Sequence, residues 1–105
     1  MPIYKISIPP SVITELEDYF DFIARDSITN AIRWYRNIQD KILSLKQNPR
    51  RCPVAIESRY RSYEIRHLIV GQYRVLFRIQ GDTVEVLHVR HGSRKRELPG
   101  SSPDR

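Results

Sequence analysis

The chain has 105 residues, which suits one domain and leaves no room for two. Forty per cent of them are hydrophobic and 10% aromatic, enough for a modest core of ordinary stability. Eighteen Lys and Arg against 12 Asp and Glu leave a net charge of +6, and 16 of the 18 cations lie from Arg33 onward. That asymmetry points to a polyanionic partner for the C-terminal half, whether nucleic acid, anionic lipid or an acidic protein, although a soluble protein with a basic surface fits the charge equally well. Cys52 is the single cysteine, so no internal disulfide forms, and nothing near it in "PRRCPV" has zinc-ligand spacing. The N-terminus has no signal-peptide pattern and no stretch is long enough to span a membrane. A cytoplasmic protein with no membrane partner is expected.

The first element is "IYKISI" at 3–8, whose alternation of apolar and polar residues predicts a short strand. Pro9 and Pro10 end it, and Pro10 or Ser11 opens a helix. Ile13, Leu16, Phe20 and Ile23 recur at helical spacing as its buried stripe. "ARDS" breaks that helix, and Ser27 or Thr29 caps the next. The second helix carries Ile28, Ala31, Tyr35, Ile38, Ile42 and Leu45 at regular three- and four-residue spacing. The stripe is too short for a coiled coil, so it packs on the first helix and a sheet. Asn48-Pro49 stops it. A loop from Arg50 to Arg61 follows, with Arg50, Arg51, Arg59 and Arg61 in it.

The remainder reads as strands: "YEIRHLIV" at 63–70, "YRVLFRI" at 73–79 and "TVEVLHVRH" at 83–91, separated by Gly71-Gln72 and Gly81-Asp82. Residues 1–98 are expected to form one domain and 99–105 a disordered tail. The fold class is α+β with the order β-α-α-β-β-β, a helical hairpin packed on a small twisted antiparallel sheet.

The central strand raises the functional question. Tyr73, Val75, Phe77 and Ile79 share one face, which the helices need, so Arg74 and Arg78 project from the other. The last strand offers either Val84, Val86, His88 and Arg90 or Glu85, Leu87, Val89 and His91 to the arginine face. A bulge would exchange the two sets, so both remain open. With Arg66, Arg74, one histidine and Arg94, a concave cationic surface is expected. The plain alternative pairs Arg66, Arg78 and Arg90 with Glu64 and Glu85 across strands, and leaves His67 and His88 as ordinary surface or core residues. Arg74 is the hardest to explain that way, because a charge in mid-strand is costly without a partner. No phosphate loop, metal-ligand cluster or Ser-His-Asp order is present, so no cofactor and no metal is expected. A metal-free site of Arg, Lys and His suits RNA, whose 2′-hydroxyl is an internal nucleophile. Arginine suits the phosphate because its planar fork is bidentate.

"GQYRVLFRIQGDTVEVLHVRHGSR" at 71–94, together with the second helix closing in "ILSLKQNPRRCP", resembles the RelE/ParE superfamily of toxins from type II toxin–antitoxin modules. The likeness covers residues 3 to about 96. It implies a compact toxin and a cognate antitoxin that wraps its basic face. Two activities accompany the fold: RelE-like members cut mRNA on the ribosome, and ParE-like members poison DNA gyrase without nuclease chemistry. A ribosome-dependent mRNA endonuclease is the first expectation, a gyrase inhibitor or a non-toxic antitoxin-binding relative the alternatives. Carried over by position, Arg74 and Arg94 would hold the scissile phosphate and His91 would be the base. Arg61, Arg66, Lys95 and Arg96 would contact substrate. Gly100 stands where RelE-like enzymes often carry a tyrosine, and Ile69 where many relatives carry an arginine.

Overall fold

The computed structural model describes residues 3–92. Chain order is β1 (Lys5–Ser7), α1 (Pro10–Ala24), α2 (Ile28–Leu43), β2 (Arg66–Val70), β3 (Tyr73–Gln80) and β4 (Thr83–His91), with 3₁₀ turns at Ser44–Lys46, Pro49–Arg51 and Ile56–Tyr60. This is the expected α+β order, two helices on a four-stranded sheet. Arg94, Lys95, Arg96 and the 99–105 tail lie outside the described residues.

The sheet order is β1-β4-β3-β2. β2, β3 and β4 form the antiparallel meander that the short turns dictate. β1 then joins β4 in parallel, so the sheet is mixed rather than wholly antiparallel. The long α1–α2 crossover returns β1 to the sheet in the same sense as β4, a connection no hairpin can make.

Pro10 stands at the start of α1, where its missing N–H costs nothing. The buried stripe of α1 keeps Leu16 as expected but is turned toward Val12 and away from Ile13. Val12 is 0% exposed and Leu16 1%, whereas Ile13 is 36% exposed. Tyr19 continues the stripe by packing edge-on to Tyr73 and Trp34. Ser27 caps α2, its Oγ accepting from the Asn30 N–H. Ala31, Ile38 and Ile42 are buried as expected, but Ile28, in the first turn, is exposed. α2 ends at Leu43, and a 3₁₀ turn tightens the chain so that Leu45 still reaches the core. Asn48, left-handed at φ 47°, then reverses the chain.

The main core lies between the helices and the sheet: Val12, Leu16, Ile38 and Ile42 meet Val70, Tyr73, Val75, Val86 and Val89. Phe77 and Val84 extend it to Leu45 and Cys52. A smaller cluster of Ala55, Ile65 and Leu76, with Tyr63 and Leu87 against it, forms elsewhere. Residues 63–65 are not part of β2, contrary to the sequence reading. The Ile65 N–H donates to Ser58 Oγ and its carbonyl accepts from the Ala55 N–H, so this stretch bonds to the preceding loop. That loop roofs the second face of the sheet.

Candidate functional site

Register decides which side chains meet. Arg74 pairs with Arg90 and Leu76 with His88, but Phe77 pairs with Val86. Leu87 is therefore the extra residue of a bulge, and each alternating set predicted for the last strand is split there. Val84 and Val86 face the helices, as do Val89 and His91; Glu85, His88 and Arg90 face the other way with Arg78, Leu76 and Arg74. His67 joins this second face from β2, opposite Leu76.

The second face carries three arginines, and each meets its own carboxylate. Arg74 Nη1 and Nη2 donate to Glu57 Oε2 and Oε1, both at 2.9 Å, and its Nε donates to His67 Nδ1 at 3.1 Å. The side chains of Arg74 and Glu57 are 12% and 14% exposed. Burial opposes the Glu57 charge, but hydrogen bonds from Arg74 and from its own backbone N–H, with the charge of Arg74, outweigh it and hold the carboxyl below its ordinary pKa.

Arg78 Nε donates to Glu85 Oε1 at 2.6 Å while its guanidinium lies 4.5 Å from the Tyr63 ring centroid. Arg90 Nη1 donates to Glu15 Oε2 at 2.8 Å, and His88 Nδ1 lies 3.0 Å from the same oxygen. Glu15 Oε1 also accepts the Val89 backbone N–H at 2.9 Å. α1 thereby reaches β4 beyond the end of β1 and satisfies one donor of an otherwise open strand edge. Burial again opposes ionisation of Glu15, and its bonds to His88, Val89 and Arg90 prevail, lowering its pKa.

The expected site residues are thus dispersed. His91 packs edge-on against Tyr73, ring centroids 4.9 Å apart, on the helix side of the sheet. It lies across the sheet from Arg74, because neighbouring residues of a strand alternate faces. Arg66 is a fastener of the loop: its Nη1 donates to Cys52 O at 2.6 Å and Arg50 O at 3.2 Å, and its Nη2 lies 3.0 Å from Glu64 Oε1. Arg61 is exposed and donates to the Tyr60 carbonyl. Arg94, Lys95 and Arg96 lie outside the described residues.

Sequence reasoning missed Glu57 and Glu15, the groups that decide the electrostatics of this face. A signal for Glu57 was present: it is the sole carboxylate in the basic loop 50–61. Among the described residues, no group of His, Cys, Asp or Glu could hold a metal ion, and no helix is long and apolar enough to cross a membrane.

Residues 6–96 match the family model described as the ParE toxin of the type II toxin–antitoxin system, parDE. No curated protein matches the chain. The fold is similar to a solved chain of the chromosomal ParDE TA system from P. aeruginosa, with TM-score 0.69 and 14% identity over 85% of this chain and 96% of that one.

Proposed function

The chain belongs to the ParE toxin family of type II toxin–antitoxin systems, and from that premise we propose that it acts in the cytoplasm by binding DNA gyrase, not by cutting RNA. Membership of a toxin–antitoxin system implies a cognate antitoxin as its first partner. One observation carries the choice between activities. The arginine best placed for a scissile phosphate already spends its bidentate fork on Glu57 at 2.9 Å. A phosphate there must displace a largely buried carboxylate that is held in the charged state. The separation of His91 from Arg74 by the sheet supports the same reading, since a base must lie within hydrogen-bond reach of the proton it takes. Cleavage of mRNA on the ribosome, the other activity of the superfamily, requires Arg74 to leave Glu57 and requires His67, which holds Arg74 Nε at 3.1 Å, to serve as the base in place of His91.

Pulse labelling after induction without the antitoxin tests the proposal. An early fall in DNA synthesis with gyrase-linked breaks is expected. An early fall in translation with mRNA cut within codons would overturn it.

A further inference from the structure

Because carboxylates neutralise the sheet arginines, the uncompensated charge of the chain lies elsewhere. Between Asp40 and Glu57 sixteen residues carry Lys41, Lys46, Arg50 and Arg51 and no carboxylate. All four are exposed. Among the described residues, none of the four forms an ion pair, whereas Arg66, Arg74, Arg78 and Arg90 all do.

These four cations occupy one folded corner. α2 gives way to the Ser44–Lys46 turn, Asn48 reverses the chain, and Pro49–Arg51 forms the next turn. Buried Leu45 and Pro49 anchor the corner. The Tyr4 N–H donates to Lys46 O at 2.8 Å and binds it to the start of β1. Neutral acceptors hold the two arginines. Arg50 Nη1 donates to Tyr4 Oη at 2.9 Å; Arg51 donates to Gln47 O at 2.7 Å, Asn48 O at 3.2 Å and Ser44 Oγ at 2.9 Å. Such acceptors orient a guanidinium without cancelling its charge. The two arginines are therefore preorganised, with the lysines beside them, for an anion that no described residue supplies.

We propose that this corner, Lys41, Lys46, Arg50 and Arg51, binds the phosphate backbone of duplex DNA without reading its sequence. Single-stranded nucleic acid is disfavoured, because strand binding needs exposed aromatic rings on which bases stack. The aromatic ring at this corner, Tyr4, packs against the cluster of Leu45, Cys52, Phe77 and Val84. The preference for DNA over duplex RNA rests on the gyrase reading, since gyrase holds a DNA duplex; the phosphate chemistry does not. A toxin that touches both enzyme and DNA would add affinity only where the two are together.

The test is fluorescence anisotropy of a labelled 20-base-pair DNA duplex with the purified full chain, in the absence of gyrase, over a salt series. Four phosphate contacts predict a slope of log K against log salt of about −3.6, so affinity falls on the order of 100-fold between 50 and 200 mM salt. Lys46→Gln/Arg50→Gln should halve the slope. Arg25→Gln/Arg33→Gln, which removes the same charge from the other end of the hairpin, should leave it unchanged. Circular dichroism confirms that both variants are folded, and Lys41→Gln/Lys46→Gln, whose side chains hold no hydrogen bond to the described residues, replaces the first pair if it is not. An unaltered slope in the corner variant, or no binding at 50 mM salt, would overturn the proposal. So would tighter binding of single-stranded RNA, of an RNA duplex, or of a polyglutamate peptide. Gyrase supercoiling assays run separately: loss of gyrase inhibition with DNA binding intact would remove the target and leave the corner standing.

Discussion

Glu57, on the loop that roofs the sheet, accepts two hydrogen bonds from Arg74 in the middle of β3, each 2.9 Å long. The pair joins residues seventeen apart in sequence and occupies the guanidinium fork of Arg74 with a carboxylate. Its two side chains are mostly buried, so removing one partner strands the other's charge.

Arg74→Ala should therefore destabilise the chain by about 2–4 kcal/mol, and Glu57→Ala by a similar amount. The double variant should cost clearly less than the sum, because neither charge is then left alone. Urea unfolding measures all three. Gyrase inhibition per folded molecule should survive Arg74→Ala; its complete loss in a folded variant would argue for a direct role.

Stability should fall in acid. Glu15 and Glu57 both titrate below the ordinary carboxylate value of 4.5 in the folded chain. As pH drops, the unfolded chain takes up their protons first, so the stabilisation present at neutral pH decays from about pH 5 downward, through the folded pKa values. Melting temperatures between pH 3 and pH 7 show this directly. Glu15→Gln and Glu57→Gln should each flatten the curve, and an unchanged slope in both would contradict the ion-pair account.

Glu15 also covers the edge of β4. Glu15→Ala removes the acceptor of the Val89 N–H and the counter-ion of Arg90 together, and should cost about 2–3 kcal/mol. Hydrogen exchange at the Val89 amide should accelerate more than at Val75, which sits in the doubly paired middle of the sheet.

The turned stripe of α1 separates neighbours. Val12→Ala removes methyl groups from a site that is 0% exposed and should cost about 2 kcal/mol, whereas Ile13→Ala, at 36% exposure, should cost less than about 1 kcal/mol. Phe77→Ala, at 0% exposure, should be the most damaging single truncation, about 3–5 kcal/mol. Thermal melts of the three variants rank them.

Much of this protein was legible from local chemistry. Proline, glycine and the Asn48-Pro49 stop act on their own backbone, so the order of helices and strands followed from the chain alone. The apolar face of β3 followed from period-two alternation, because Tyr73, Val75 and Phe77 need no partner to define it. The motif of residues 71–94 and the basic excess were likewise properties of the chain itself. What tertiary structure decided was every relation between distant residues. The bulge at Leu87 divided the last strand, and a one-residue offset in pairing has no local signature. It put His91 with Tyr73 and left His88 and Arg90 opposite. The electrostatics of the second face depended on Glu57 and Glu15, brought to Arg74 and Arg90 from seventeen and seventy-five residues away. A count of charges registers such carboxylates but not their positions. Coulomb attraction falls with distance and with water between the groups, so folding, which supplies the distance and removes the water, determined which arginines remain cationic to a partner.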